Sequence, residues 1–328
     1  MTNHENFMIR ALELAADAYG QTSPNPLVGA VVVKNGKIIG EGYHKKAGGP
    51  HAEVVALRKA GGRAKGADLY VTLEPCCHYG RTPPCTDLII KVGVSRVIYG
   101  MQDPNPQVGG NGFKKLKKAG INVIGPVLKE PCMKMNRPYS KWMMTGLPYI
   151  TAKIAITMDG KIADSKGDSK WISNKKSREY SHWLRAGSDV VMVGEGTYKK
   201  DKPKLNVRLP AYHGKQPVPM CVSTGLSLRA KRSNLLKKVD LKKLLKELGS
   251  AGFQSVLVEG GSQLHSELFK KGLVDYVVVF IAPKLLGGGA KNWLGDIGRN
   301  SIGKTLNLIP EHSFMLDGDV VIECLAGK

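Results

Sequence analysis

His51-Ala52-Glu53-Val54-Val55-Ala56-Leu57-Arg58-Lys59-Ala60-Gly61-Gly62 is followed, after the apolar run Leu69 to Leu73, by Glu74-Pro75-Cys76 and then by Cys85. Glu53 to Ala60 has the pattern of a short helix stopped by the two glycines, which places His51 and Glu53 at its start. Leu69 to Leu73 has the pattern of a buried strand, and Pro75 is suited to opening a second helix. Ligands are therefore expected from two helix N-termini, where the positive dipole end favours thiolate. One imidazole (His51) and two thiolates (Cys76, Cys85) make three donors for one tetrahedral Zn²⁺ per chain. The fourth position stays open for water.

Beside such an ion Glu53 is free to move protons, the division of labour that zinc-dependent nucleobase deaminases use. A structural zinc knot closed by Cys77 or His78 is the alternative, but it has no use for Glu53. The nine-residue step from Cys76 to Cys85 departs from the C-x-x-C spacing of the general deaminase signature. Together with Ser23-Pro24-Asn25-Pro26-Leu27-Val28-Gly29, Gly42-Tyr43-His44 and Thr82-Pro83-Pro84-Cys85, it resembles the pyrimidine deaminase domain of the bifunctional riboflavin-biosynthesis deaminase/reductases. The likeness runs from about Asn6 to Pro138. It implies a cytidine-deaminase-like three-layer α/β fold, Glu53 as the catalytic residue, and Asn25, His44, His78 and Arg81 as substrate contacts.

Around the motif, helices and strands alternate. A helix ends at Gly20, Val28 to Val33 returns through an Asn35-Gly36 turn as Lys37 to Gly40, and Arg96 to Tyr99 and Ile121 to Ile124 flank a helix from Gly112 to Ala119. This predicts a mixed or largely parallel sheet between helices. Glu130 to Met144 has the pattern of one connecting helix, and Gly146-Leu147-Pro148 breaks it. Two domains are expected, 1–145 and 146–328.

In the second half no Gly-x-Gly-x-x-Gly follows a strand, so a classical dinucleotide fold is not indicated. Val256 to Glu259 instead leads through Gly260-Gly261-Ser262 into a helix, a junction whose backbone N–H groups can approach phosphate. With Met158-Asp159-Gly160-Lys161, Ser169 to Ser173, Gly194-Glu195-Gly196-Thr197, Asp201-Lys202-Pro203 and Ala282 to Gly288, it resembles the reductase domain of the same enzymes. That resemblance implies a dihydrofolate-reductase-like α/β fold and NADPH. Lys153, Ser169, Arg185, Leu205, Arg208 and Glu259 would face a phosphoribosyl substrate, with Arg185 and Arg208 suited to its phosphate. Ala155, Trp171, Thr197, Asp201, Thr224 and the turn of Gly261, Ser262, Gln263, Leu264, His265, Ser266 and Glu267 would hold the cofactor. Lys202 and Asn206 stand where the family has Asn and Thr, and the chain is shorter than the family between about 225 and 240. The alternative is a deaminase whose second domain is a scaffold.

The 328 residues carry a formal charge of +22, which raises the class of nucleic-acid deaminases. The excess is spread over both halves, and the densest stretch, Arg229 to Lys246, lacks the aromatics of a single-strand binder. Its leucines at 241, 244, 245 and 248 fall on one helical stripe behind Asp240 as N-cap, the pattern of a docked helix with a solvated basic face. The opening residues hold no apolar run, the longest such run is Tyr276 to Ala282, and six cysteines include two wanted as thiolates. These features predict a cytoplasmic protein with no nucleic acid or membrane as partner, and the resemblance implies a homo-oligomer acting on a small phosphoribosyl pyrimidine.

Overall fold

The computed structural model describes residues 2–327 except 80–82, 107, 211, 224–227 and 230–239. The chain divides into two compact units, Met1–Gly146 and Leu147–Lys328.

The first unit starts with α1 (Asn3–Ala16), closed at its N-terminus by a reciprocal Thr2 and Glu5 capping box. The hairpin β1 (Gly29–Lys34) and β2 (Lys37–Tyr43), α2 (Ala52–Ala60) and β3 (Asp68–Leu73) follow, then α3 (Cys85–Val92), β4 (Arg96–Met101), α4 (Asn111–Lys118) and β5 (Asn122–Ile124). Strand order is β2-β1-β3-β4-β5. The β1 pairings are antiparallel, and those from β3 to β5 are parallel. Burial of every residue from Gly29 to Val33 shows why alternation is absent there, since both sheet faces are covered. α2 lies against β2 at close range: a Cβ on Gly40 would come 2.3 Å from the Ala56 carbonyl oxygen.

The connecting segment differs from the single helix that its pattern predicts. It forms α5 (Lys129–Met135) and α6 (Arg137–Thr145), with Asn136 between them outside helical geometry. Asn136 accepts from the Leu27 N–H (2.8 Å) and donates to the Leu27 carbonyl (2.9 Å), and Pro138 fits the first turn of α6. A tertiary clamp on the chain entering β1 outweighs the continuous apolar periodicity.

The second unit contains β6 (Tyr149–Thr157), β7 (Lys161–Ala163), α7 (Lys175–Ala186), β8 (Val190–Gly194), α8 (Glu195–Asp201), β9 (Val218–Val222) and β10 (Leu228–Arg229). After these come α9 (Leu241–Ser250), β11 (Ser255–Val258), α10 (Ser262–Lys270), β12 (Tyr276–Ala282), β13 (Lys291–Asn292) and the terminal hairpin β14 (Leu308–Leu316) and β15 (Asp319–Ala326). Eight strands run β10-β9-β8-β11-β6-β12-β15-β14, parallel from β9 to β12, while β13 pairs with β7 alone. The leucine stripe of α9 is buried at 241, 244, 245 and 248, and Asp240 caps it by accepting from the Lys242 and Lys243 N–H groups. Of the basic stretch ahead of Asp240, residues 230–239 lie outside the described residues.

Candidate active sites

His51 is the N-cap of α2, and Cys85 is the first residue of α3 after Pro84. Cys76 does not open a helix, contrary to the expectation from Pro75. It lies outside any helix or strand after β3, and the helix begins only at Cys85, behind Pro84. The dipole argument survives in altered form, with the N-terminus of α3 closing onto Cys76: the Cys85 N–H donates to its Sγ (3.3 Å) and the Thr86 N–H to its carbonyl (3.2 Å). His51 Nδ1 lies 3.2 Å from Cys85 Sγ and 3.5 Å from Cys76 Sγ. The three donor atoms fall within 4.8 Å of one another, and among the described residues neither Cys77 nor His78 joins them.

These donors fit Zn²⁺ with one open position, and the protonation pattern agrees. The Cys76 thiol is pulled down to about 4, first by its bond with Cys85 and then by His51, while the same bond raises Cys85. Glu53, 3% exposed, is pushed up to about 7 by burial and by the Cys76 thiolate, with His51 opposing.

A cavity of about 420 Å³ opens over these residues, lined also by Asn25, His44, His78 and Asp103. His44 is buried, and burial lowers its pKa, so the ring is neutral. Its Nδ1 is 3.0 Å from the Pro50 carbonyl, which can only accept, so Nδ1 carries the proton. Nε2, 2.9 Å from Asn25 Nδ2, therefore accepts from that amide and orients it. His78 is exposed at the cavity wall, and Arg81 lies outside the described residues.

The sequence reading missed Asp103 and Asn105, which line this cavity, and Tyr139, whose hydroxyl donates to Asp103 (3.1 Å). Their signal was available: Asp103-Pro104-Asn105-Pro106 follows the carboxyl end of a parallel strand, where α/β sheets hold ligands. Cys132 is buried in the core, and burial pushes its thiol up to about 12.

In the second unit a cavity of about 610 Å³ gathers Lys153, Ser169, Arg185, Leu205, Arg208 and Glu259 with Ala155, Trp171, Thr197, Asp201, Gly261 and His265. Lys153 and Glu259 come from the neighbouring strands β6 and β11 or their ends, and Arg185 reaches in from α7. Arg185 is not free for phosphate in this arrangement. Nε and Nη2 donate to the two Glu259 oxygens, each at 2.6 Å, and Nη1 donates to the Asn206 carbonyl (2.9 Å). Burial works to raise Glu259, but the Arg185 fork together with Lys153 and His182 outweighs it and holds the carboxyl below its usual range. Burial also depresses Lys153, against Glu259. Arg208, Lys202 and Lys204 remain as cationic wall.

Of the run from Gly261 to Glu267, Gly261 and His265 line the cavity; Ser262, Gln263, Leu264, Ser266 and Glu267 do not. Leu264 is core at 1% exposure, and Ser266 Oγ donates to the Ser262 carbonyl and accepts from the Gly295 N–H. A nicotinamide dinucleotide nonetheless fits the residues present. Gly260 and Gly261 hold φ of 123° and 89°, open to glycine, ahead of a helix start without a side-chain cap. His265, 2% exposed, has two ring nitrogens with no hydrogen-bond partner among the described residues. Trp171 is stacked under the Arg178 guanidinium at 4.4 Å. Thr224 lies outside the described residues.

Fold and sites together define a zinc-dependent pyrimidine-type deaminase joined to a nicotinamide-dependent reductase. Residues 1–101 match the cytidine and deoxycytidylate deaminase zinc-binding region, and residues 148–322 match the RibD C-terminal domain. The chain is 44% identical to the riboflavin biosynthesis protein RibD of Aquifex aeolicus over 97% of both chains, and 40% identical to that of Escherichia coli over 88% of this chain and 89% of the relative. Among solved structures, Acinetobacter baumannii RibD covers 99% of both chains at 35% identity with a TM-score of 0.92. The Thermotoga maritima diaminohydroxyphosphoribosylaminopyrimidine deaminase/5-amino-6-(5-phosphoribosylamino)uracil reductase likewise covers 99% of both at 37% and 0.88. The chain belongs to the RibD family of bifunctional riboflavin-biosynthesis deaminase/reductases. Zinc serves its deaminase and NADPH its reductase. Among the described residues no helix is long and apolar enough to cross a membrane.

Proposed function

We propose that residues 1–145 hydrolytically deaminate 2,5-diamino-6-ribosylamino-4(3H)-pyrimidinone 5′-phosphate. Residues 146–328 then reduce the ribosyl chain to ribityl, giving 5-amino-6-(5-phospho-D-ribitylamino)uracil. The observation that carries the reading is the convergence of His51, Cys76 and Cys85, with His51, Cys76 and buried Glu53 lining one cavity.

His51, Cys76 and Cys85 would hold the ion, which when bound supplies the Lewis acidity that brings water to hydroxide near neutral pH. Glu53 takes the proton of the attacking water and returns it to the departing amino nitrogen, so no net proton stays on the carboxylate. His44, fixed as the Nδ1–H tautomer, turns the Asn25 amide so that its carbonyl oxygen is the acceptor presented to the pyrimidine. In the second unit the basic wall of Arg208, Lys202 and Lys204 receives phosphate. Opening of the sugar ring places a proton on the ring oxygen as hydride reaches the anomeric carbon. Lys153, with its charge weakened by burial, is suited to hold that proton. The substrate is a free nucleotide-like molecule, the enzyme works in the cytoplasm as a homo-oligomer, and nucleic acid is not a partner.

The test is to supply the diamino substrate with and without NADPH and identify products by mass. Without NADPH the amino group alone is exchanged for oxygen; with it, two hydrogens are added as well. Deamination with no NADPH oxidation, in folded protein, would reduce the second unit to a scaffold. Deamination of RNA with steep salt dependence would overturn the substrate assignment.

A further inference from the structure

Glu74 stands at the carboxyl end of β3, two residues before Cys76, and is 3% exposed. Its carboxylate accepts four backbone N–H groups from the segment after β4: Oε2 from Gly110 (2.9 Å) and Asp103 (3.3 Å), Oε1 from Gly112 (2.9 Å) and Phe113 (3.4 Å). Gly112 and Phe113 are the second and third residues of α4, whose own N-cap is Gly110 and offers no side chain. An N-cap side chain ordinarily accepts from those two positions. Glu74 thus caps α4 from another element, with a charge that the positive end of the helix favours.

The arrangement needs a glycine at the contact. A Cβ on Gly112 would lie 2.3 Å from the Pro75 carbonyl oxygen and 3.0 Å from Glu74 Oε1. The same carboxylate reaches the cavity wall. Asp103, held by its N–H on Glu74, accepts from the Asn105 N–H (2.9 Å) and the Tyr139 hydroxyl (3.1 Å), and all three residues line the cavity over Glu53. One side chain therefore ties the strand end that delivers Cys76 to the wall that faces a bound pyrimidine.

We propose that Glu74 is a positioning residue for deamination, setting the Asp103 to Asn105 wall at its distance from the metal ligands. The inference rests on the deaminase reading of this cavity. Its consequence is separable from metal binding, because the four N–H donors belong to the segment from Asp103 to Phe113 and none to His51, Cys76 or Cys85.

The experiment compares Glu74→Gln and Gly112→Ala in the full-length zinc enzyme. Glutamine keeps the volume but turns an NH₂ toward two of the four N–H donors. The added methyl at position 112 pushes α4 off the intact carboxylate. Both variants are expected to retain zinc and NADPH oxidation with deaminated substrate, and to raise KM for the diamino pyrimidine about tenfold or more, with kcat falling much less. Unchanged KM in zinc-loaded protein overturns the proposal, as does joint loss of zinc and kcat in both variants, which would make Glu74 a support for the metal ligands. If Glu74→Gln does not accumulate folded, Gly112→Ala decides alone by the same readouts. Glu53→Ala run alongside keeps the two readings apart. Its loss of turnover with unchanged KM in the Glu74 variant would leave the deaminase standing and remove the positioning role.

Discussion

The metal centre of the first unit and the cavity of the second unit are built on opposite principles. Three donors within 4.8 Å and a buried acid make the first. Because an ion demands named atoms at fixed range, the residues that supply them stand out as His51, Glu53, Cys76 and Cys85 even in linear sequence. The second is a larger hollow whose walls come from β6, α7, α8, α10 and the Glu259-Gly260-Gly261 turn. No single residue of it announces a cofactor. A motif-built site is brittle and legible, whereas a wall-built site is distributed and is read through the company its residues keep.

The sharpest break between the two is chemical. Glu53→Ala is expected to cut ammonia release by about 10²–10⁴-fold while one zinc per chain remains and NADPH oxidation with deaminated substrate is unchanged. Stripping the metal with a chelator should give the same split. Zinc analysis beside two rate assays checks both, and loss of the reductase rate on chelation would show that the activities are not independent.

The second site has its own brittle point, which the sequence did not reveal. Arg185 and Glu259 are 11% and 8% exposed and joined by two bonds of 2.6 Å. Glu259→Gln should destabilise by about 3–5 kcal/mol, since it leaves a buried guanidinium without its counter-charge. The pH dependence follows from the lowered Glu259 pKa. Stability from this pair is present above the unfolded glutamate value near ~4.3 and is lost as pH falls through the lower folded value. Acid unfolding of the variant, followed by circular dichroism, should lack that limb. A parent-like acid limb in the variant would place the pair's contribution elsewhere.

His265 gives a contrast within the same cavity, a polar group buried with no hydrogen-bond partner among the described residues. Burial first, and Lys153 second, hold it at about 4. Between about 6.5 and 4 the unfolded chain binds a proton that the folded chain refuses, so stability falls as pH drops across that window, by at most about 3 kcal/mol. His265→Leu should flatten thermal stability between those pH values and leave it equal or higher at pH 7, while NADPH oxidation falls. Unaltered oxidation would detach His265 from the cofactor side.

The boundary between what could and could not be read follows the range of the interactions. Elements set by local periodicity and capping, such as α2 before Gly61, the β1–β2 hairpin and the Asp240-capped α9, were visible because their signals lie within a few residues. The break at Asn136 was not, since it depends on Leu27, and no pattern around 136 records a partner at that separation. The same holds for Cys76, held by the Cys85 N–H further along the chain, and for Glu74, whose partners begin at Asp103. Glycine-rich Gly260-Gly261 was readable as a junction. That the side chains after it turn into the core at Leu264 was not, because helix phase relative to the cavity is a packing outcome.

The smallest expected effect bears on the basic stretch, the one feature that points away from small-molecule chemistry. Asp240 accepts from the Lys242 and Lys243 N–H groups and starts a helix whose leucines at 241, 244, 245 and 248 are buried. If α9 is a docked element of the fold, Asp240→Ala should cost about 1 kcal/mol, seen as a shifted denaturant midpoint with an unchanged slope. Both catalytic rates should stay the same at temperatures below the transition. If the lysines instead formed a nucleic-acid surface, the added net positive charge would strengthen RNA binding measurably at low salt. A change in RNA affinity without a change in midpoint would assign the helix to recognition, because a cap acts on the fold whereas a surface charge acts on a polyanion.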